Sequence, residues 1–385
     1  MRNFAGKEYF CMGLFSKLPA PSVGDFTLQL DVNRQQMERM ELRSSFFPAE
    51  WWPQSAMQLT WPHAGTDWAQ RLDEVTQCYV RMAYEISSVE PLLIATPEPQ
   101  AVGRLLQEKL PRRAMQNIIF LSCPTNDTWA RDHGFLTVIT EKSPELLDCR
   151  VNGWGNKFEA ALDNAINRRL WESGLLHGRY TDCLDFVLEG GSIETDGRGT
   201  LLTTAQCLLS ENRNQPMSRM EIEEFLCRRL HCRRVLWLEH GHLEGDDTDG
   251  HIDTLARFCP GDTIAYVQCT DPEDSHHAAL HLMEQELQAL RTEDGLPYRL
   301  LPLPLPDALH DEDGQRLPAT YANFLILNGK VLMPTYNQPE KDAQALHILQ
   351  QAFPKHEIVG IDSRILVWQH GSIHCSAMQY PKGVF

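Results

Sequence analysis

An α/β fold in one large domain is predicted by three observations. Short apolar runs rich in β-branched residues recur along the chain, helix-period patterns lie between them, and no Gly/Ser-rich or charged low-complexity stretch divides the sequence after Ser45. The 385 residues exceed one ordinary domain and fall short of three, so a single domain over residues 43–385 is expected. Residues 1–42 have mixed polarity, with at most a short helix around Gln35–Leu42. They are set apart as an N-terminal extension of unassigned order.

Strands are expected at Leu92–Thr96, Asn117–Ser122, Phe135–Thr140, Gly199–Thr204, Thr263–Gln268, Asn323–Leu327, Val331–Met333 and Glu357–Ile361, all of strand length and bounded by turn residues. Helices follow from spacing. Trp68, Leu72, Val75 and Tyr79 are four, three and four apart, and Leu280, Met283, Leu287 and Leu290 are three, four and three apart, so each set shares one helix face. Ser218-Arg219-Met220-Glu221 reads as a capping box that starts a helix with Ile222, Phe225 and Leu226 on its buried face. Asp196-Gly197 suits a hairpin turn. In Leu301-Pro302-Leu303-Pro304-Leu305-Pro306 alternate residues lack an amide donor, which excludes a helix or central strand and leaves an edge or a connector.

The 35 Lys+Arg against 52 Asp+Glu give a net charge of −17 with no compensating basic block. Such a field repels phosphate backbones and anionic lipid headgroups and attracts cations, so nucleic acid and membrane partners are not expected. The eleven cysteines are scattered without a CxxC, which fits reduced thiols in a cytoplasmic protein better than a disulfide framework. The apolar patch Phe10–Phe15 is too short, and too closely flanked by Lys7, Glu8 and Lys17, for a signal sequence. No stretch reaches the length of a membrane span.

Four segments carry residues that a core does not explain. Thr125–Gly134 includes Trp129, Arg131 and Asp132 at a strand entrance; it suits a planar cation, and a locally capped turn accounts for the same residues. Leu188–Ile193 joins Glu189 to Gly190-Gly191, where the backbone can approach something closely. Glu244–Asp253 sets five acids around His251, without the calcium-loop register. His251 and Asp253 are two apart, so in an extended segment they share a side. His370–Ser376 holds Cys375 among small polar residues and beside His374. A lone Cys is more often inert core than nucleophile, and the company of His and acids shifts that balance.

Asn126–Asp132, Leu188–Ile193, Glu211–Asn214, Gly245–Asp253, Thr320–Phe324 and Gly371–Cys375 occur in this order, preceded by Phe47–Pro53 and Leu59–Pro62. Together they resemble the agmatine deiminase branch of the peptidyl-arginine deiminase family, within the guanidine-modifying pentein superfamily. The match runs from about Ser45 to Gln379. The resemblance implies a pentein α/β-propeller with five pseudosymmetric ββαβ units around a central site. It implies Cys375 as nucleophile, His251 as general acid/base and Glu189 as the carboxylate orienting His251. Asp132 and Asp253 would clamp the guanidinium, Asp247 would sit at an acidic position associated with agmatine, and Asn323 would line the pocket beside the reacting carbon.

The chemistry fits these residue types. A guanidinium carbon is a poor electrophile, so attack needs a soft nucleophile and firm positioning, which thiolate and paired carboxylates supply. A covalent amidino-cysteine would form with loss of ammonia and be hydrolysed to the ureido product, with no metal or organic cofactor. Agmatine has an amine at its far end, for which Asp246, Asp247, Asp249 and Trp129 offer acidic and aromatic surface. The expected function is therefore hydrolysis of agmatine to N-carbamoylputrescine, on the way to putrescine and polyamines. His370-Gly371-Ser372 stands where many members of the branch read Gly-Gly-Gly-Asn, which bears on the substrate's far end. The alternatives are a deiminase of peptidyl or free arginine, an inactive scaffold, and a metal-binding protein built on Cys227, His231, Cys232, His240 and His242. The oligomeric state is left open, a homo-oligomer included.

Overall fold

The computed structural model of the protein describes residues 45–385; the helix expected at Gln35–Leu42 lies outside the described residues. Its framework is five small sheets. In chain order, β1 (Ser45–Phe46) and β2 (Gln54–Thr60) lead to α1 (Leu72–Ser87), β3 (Leu92–Thr96), α2 (Pro99–Lys109) and β4 (Ile118–Ser122). Then come β5 (Leu136–Thr140), β6 (Glu145–Arg150), α3 (Ile166–Glu172) and β7 (Arg179–Val187), followed by β8 (Ile193–Thr195), β9 (Thr200–Thr204), α4 (Arg219–Arg229) and β10 (Arg234–Leu238). The next set is β11 (Ala256–Cys259), β12 (Thr263–Gln268), α5 (His277–Ala289) and β13 (Arg299–Pro304). The last is β14 (Leu325–Leu327), β15 (Lys330–Thr335), α6 (Pro339–Ala352) and β16 (Glu357–Asp362), after which β17 (Ala377–Pro381) ends the chain's secondary structure.

The pairing repeats. In β5–β6–β7, β8–β9–β10, β11–β12–β13 and β14–β15–β16 the first two strands are antiparallel, and the third returns through a helix to lie parallel to the second. The fifth unit uses both ends of the described chain. There β17 pairs antiparallel with β2, with Ala377 opposite Leu59, and α1 returns the chain to β3, parallel to β2. Five ββαβ units result, as the resemblance implies, with the last one closed by the C-terminal strand. All described residues belong to one compact unit.

Local sequence explains the layers. Every residue of β3, Leu-Leu-Ile-Ala-Thr, is buried, as expected for a strand flanked by parallel neighbours and covered on both faces. Val75, Tyr79, Met82 and Ile86 form the buried stripe of α1, and Trp68 packs from a short 3-10 helix at Asp67–Arg71 that precedes it. The capping box at Ser218 is present, with Glu221 accepting from the Ser218 amide at 2.7 Å. In α5 Leu280, Met283 and Leu287 are buried, while Leu290 follows the helix end in extended conformation. The proline run forms edge strand β13, bonded only to β12. No helix among the described residues is long and apolar enough to cross a membrane.

Candidate active site

The first strand of each unit is entered through a segment that carries a polar side chain, and these five segments meet. Asp132 lies in the helical turn Ala130–His133 before β5, and Glu189 precedes the turn Gly190–Ser192 that opens β8. His251 and Asp253 flank the start of the turn Ile252–Thr254 before β11, Asn323 sits just ahead of β14, and Cys375 just ahead of β17. Residues spread over much of the sequence thus converge because they occupy equivalent places in a repeated unit.

Cys375 is 6% exposed and has Sγ 3.4 Å from Asn323 Oδ1 and 3.8 Å from Asp253 Oδ2. Asn323 Oδ1 also accepts from the amides of His374 at 3.0 Å and Cys375 at 3.3 Å, which fixes the backbone at Cys375. Burial, then the charges of Asp253 and Asp132, push the Cys375 thiol well above the ordinary range. Asp253 Oδ2 lies 2.7 Å from His374 Nδ1, and its buried Oδ1 has no hydrogen-bond partner among the described residues. Burial favours protonation of Asp253, but His374, His251 and Arg257 together hold it below its usual value.

Asp132 accepts from the Trp154 indole N–H at 2.9 Å and the Gly191 amide at 3.0 Å. Burial raises its carboxyl to about 6, with Asp253 and Glu189 adding to the rise and His251 and Trp154 opposing it. His251 is fully buried, 3.7 Å from Asp132 through Nδ1, and neither ring nitrogen has a hydrogen-bond partner among the described residues. Burial works against its charge; Asp132 first, then Cys207, and after them Glu189, outweigh that and raise the imidazole well above its usual range. Gly191 permits this crowding. A methyl group there would lie 2.6 Å from His251 Nδ1, 2.9 Å from Asp132 Oδ1 and 3.0 Å from Asp253 Oδ2.

Glu189 departs from its expected contact. Arg213 Nε lies 3.2 Å from each of its oxygens, and Arg213 is itself pinned by Asp249 at 2.7 Å and the Thr248 carbonyl at 2.7 Å. The carboxylate is therefore engaged by a guanidinium. It reaches His251 by proximity, one of its oxygens, a His251 nitrogen and Cys207 Sγ lying within 4.8 Å of one another.

Asp132, Cys375, Trp129 and Asp247 all line one cavity of ≈ 510 Å³, together with Trp154, Phe158, His370 and Gly371. Burial lifts the Asp247 carboxyl to about 6, with His370 and Lys157 opposing and Asp246 adding. The other acids expected at the far end serve elsewhere. Asp246 caps its own loop, accepting from Thr248 and Gly250 amides, and Asp249 pairs with Lys157 and Arg213. Among the described residues the lining includes Asp67, Asp127, Asp132 and Asp247 and no Lys or Arg.

Behind Cys375 lies a buried ion network that sequence reasoning did not assign. Glu50 accepts from Arg131 at 2.9 Å, Arg257 at 2.5 Å and His374 at 2.8 Å, and Arg257 also pairs with Glu194. The Arg131 and Arg257 guanidiniums, with the hydrogen bond from His374, hold the Glu50 carboxylate far below its usual range against the cost of burial, while burial and the same two arginines disfavour charge on His374. Glu50 and Arg213 stand inside segments already marked as motifs, whereas Trp154 lies outside all of them. The metal set of Cys227, His231, Cys232, His240 and His242 does not gather: His240 is held by Glu286 at 2.7 Å, and Cys227 and Cys232 contact each other at 3.4 Å. The two metal-capable groups among the described residues are Glu189–Cys207–His251 and Glu50–Glu194–His374.

Residues 46–381 match the family model described as Porphyromonas-type peptidyl-arginine deiminase. The agmatine deiminase of Pseudomonas fluorescens (strain SBW25) is 32% identical over 359 residues, covering 87% of this chain and 95% of the relative. A Porphyromonas gingivalis protein provisionally described as an arginine deiminase is 52% identical, with a TM-score of 0.84 over 89% of this chain and 99% of the other. The structure of a C. jejuni agmatine deiminase with substrate bound, in a cysteine-to-serine variant, has a TM-score of 0.81 at 37% identity, over 89% of this chain and 97% of that one. By both sequence and fold, the chain belongs to the Porphyromonas-type peptidyl-arginine deiminase family.

Proposed function

We propose that the protein hydrolyses agmatine to N-carbamoylputrescine and ammonia through a covalent amidino-cysteine intermediate, residues 43–385 forming the catalytic domain. The observation that carries the reading is that Cys375 and Asp132 line one cavity, with Asp253 3.8 Å from the Cys375 sulfur and His251 3.7 Å from Asp132. A guanidinium seated between the two carboxylates gives its N–H groups to them and brings its carbon over Sγ. Its charge offsets the two acids that hold the Cys375 proton, so the thiolate becomes accessible as substrate binds.

The thiol releases its proton to solvent as the guanidinium binds, and thiolate attack on carbon forms the C–S bond and a tetrahedral adduct. His251 gives a proton to the departing nitrogen, ammonia leaves, and the amidino-thioether remains. Water then adds to the same carbon, giving a proton to the neutral His251, and the C–S bond breaks with return of the electron pair to sulfur. The hydroxyl proton of the adduct passes to the sulfur, so the ureido product leaves neutral with thiol and imidazolium restored. Glu189 supports the imidazolium's charge at short range, and Asn323 holds the Cys375 segment in place.

Agmatine is favoured over free arginine by the cavity lining. Asp247 offers an anion for a distal ammonium and Trp129 a face for the methylene chain, while among the described residues no Lys or Arg lines the cavity to receive an α-carboxylate. The product feeds putrescine formation, and the reduced thiol chemistry suits a cytoplasmic setting. The test is incubation with agmatine, with mass detection of an amidino adduct on Cys375, alongside kcat/KM for agmatine, arginine and an arginyl peptide. Agmatine is expected to be preferred and Cys375→Ala to be inert; an active Cys375→Ala protein would sink the mechanism, and preference for arginine or peptide would sink the substrate.

A further inference from the structure

Asn152–Phe158 is the most distorted stretch of backbone near the site. Gly153, Trp154, Gly155 and Asn156 have φ of 66°, 52°, 91° and 64° in succession, placing a tryptophan in the left-handed region that bulky side chains avoid. Such conformations persist where the surroundings over-determine them, and they concentrate at functional sites. The anchors are present. The Gly155 amide donates to Asn152 Oδ1 at 2.9 Å, Asn152 Nδ2 donates to the Asn212 carbonyl at 2.6 Å, and Lys157 Nζ donates to the Asp247 carbonyl at 2.6 Å and to Asp249 at 2.8 Å. The distorted turn is thereby tied to the segment that carries Asp247 and His251.

We propose that Trp154 is a positioning residue for the reaction: its indole N–H fixes one oxygen of Asp132 and so sets the plane in which that carboxylate meets the guanidinium. The inference rests on the deiminase reading above. Trp154 Nε1 is 2.9 Å from Asp132 Oδ2, while the Gly191 amide occupies Oδ1 at 3.0 Å. With a rigid donor on each oxygen, the carboxylate cannot rotate without breaking a hydrogen bond. A guanidinium clamp needs lone pairs held in one plane, and small errors in the placement of the carbon over sulfur are costly in rate. Trp154 is 7% exposed and lines the same cavity, so its ring also forms part of the wall.

The groups facing Asp132 are His251, Asp253, Glu189, Cys375 and Trp154. Asp253 and Glu189 disfavour its charge, and His251 and the indole N–H favour it. Loss of the N–H therefore makes Asp132 hold its proton to higher pH, and the ionised clamp is completed only at higher pH.

Trp154→Phe keeps a ring in the wall and removes the donor. Its kcat/KM for agmatine is expected to fall about tenfold, as for a lost hydrogen bond to a charged group, mainly in kcat, with the acid limb of the pH profile displaced upward. Asn152→Ala, which loosens the turn without altering Trp154 or Asp132, is expected to move the acid limb the same way and serves if Trp154→Phe does not fold. Wild-type kcat with an unmoved acid limb, or a loss confined to KM, would overturn the inference and leave a plain wall residue. A wild-type protein that leaves agmatine intact defeats the deiminase reading itself, a result distinct from either.

Discussion

Asp132 and Asp253 flank one sulfur yet hold their protons oppositely, because each has different neighbours. Asp253 has His374 at 2.7 Å and stays ionised, whereas Asp132, with its imidazole partner at 3.7 Å and two further acids nearby, is raised from 3.8 to about 6. The kcat/KM for agmatine should therefore climb as pH rises through about 6, where the free enzyme's clamp becomes fully charged. Stability runs the other way. A carboxyl whose folded pKa is raised binds more protons folded than unfolded, so its contribution is complete below about 4 and lost as pH rises through about 6. Asp132→Asn should abolish turnover and flatten the fall in stability over that window, checked by urea midpoints at several pH values; an unchanged slope would show that Asp132 is not the group responsible. Gly191→Ala tests the crowding directly, since its methyl would meet His251, Asp132 and Asp253 together at 2.6–3.0 Å. A displacement of this kind is expected to cost about a hundredfold in kcat, with the thermal transition largely retained.

At the scale of elements, the segment before β17 must pass flat against an aromatic. A methyl at Gly371 would lie 2.2 Å from the nearest ring carbon of Trp129, which is backed by Trp68 at a ring separation of 6.0 Å. Gly371→Ala should thus displace the Trp129 wall and raise KM for agmatine roughly tenfold, about a 1.4 kcal/mol loss of contact, while Cys375 stays reactive toward a small thiol reagent. An unchanged KM would remove Trp129 from the tail-binding surface. The strands that sequence reading located, such as β3 and β12, are buried apolar runs whose residues need no context. Those it passed over are mixed: β6 reads Glu-Leu-Leu-Asp-Cys-Arg and β7 Arg-Tyr-Thr-Asp-Cys-Leu-Asp-Phe-Val, with charges on strands whose pairing is set by their neighbours. The site was legible as far as its residues lie in motif segments of distinctive composition. The segment Glu211–Asn214 is legible, but the contact of its Arg213 with Glu189 is not, because spacing does not say which carboxylate an Arg meets; Trp154 on Asp132 lies outside every such segment, and a single Trp carries no periodic or spacing signal.

Over the whole molecule, Arg257 of β11 joins units that share no strand. It donates to Glu194 of β8, to the carbonyls of Ala322 at 3.2 Å and Phe324 at 2.6 Å beside β14, and to Glu50 at 2.5 Å, and it lies 2.9 Å from His374 ahead of β17. Its side chain is fully buried, with the guanidinium 4.6 Å from the centre of the Phe324 ring. The network therefore does for the centre what the β17–β2 pairing does for the chain ends: each unit is tied to others far away in sequence. Removing the cation leaves Glu194 buried without its charge partner, whereas Glu50 keeps Arg131 and His374; breaking one side of a buried pair costs about 3–5 kcal/mol. Arg257→Met, similar in reach and apolar, should lower the urea midpoint by a corresponding amount in a single cooperative transition seen alike by fluorescence and circular dichroism. Adding Glu194→Gln should restore part of that loss, because the carboxyl left without a partner is then gone. If Arg257→Met unfolds in separate steps, the units are held by local contacts and the central network is not what couples them; if stability is unchanged, Glu194, which burial already drives toward its protonated form, has taken up a proton at little cost.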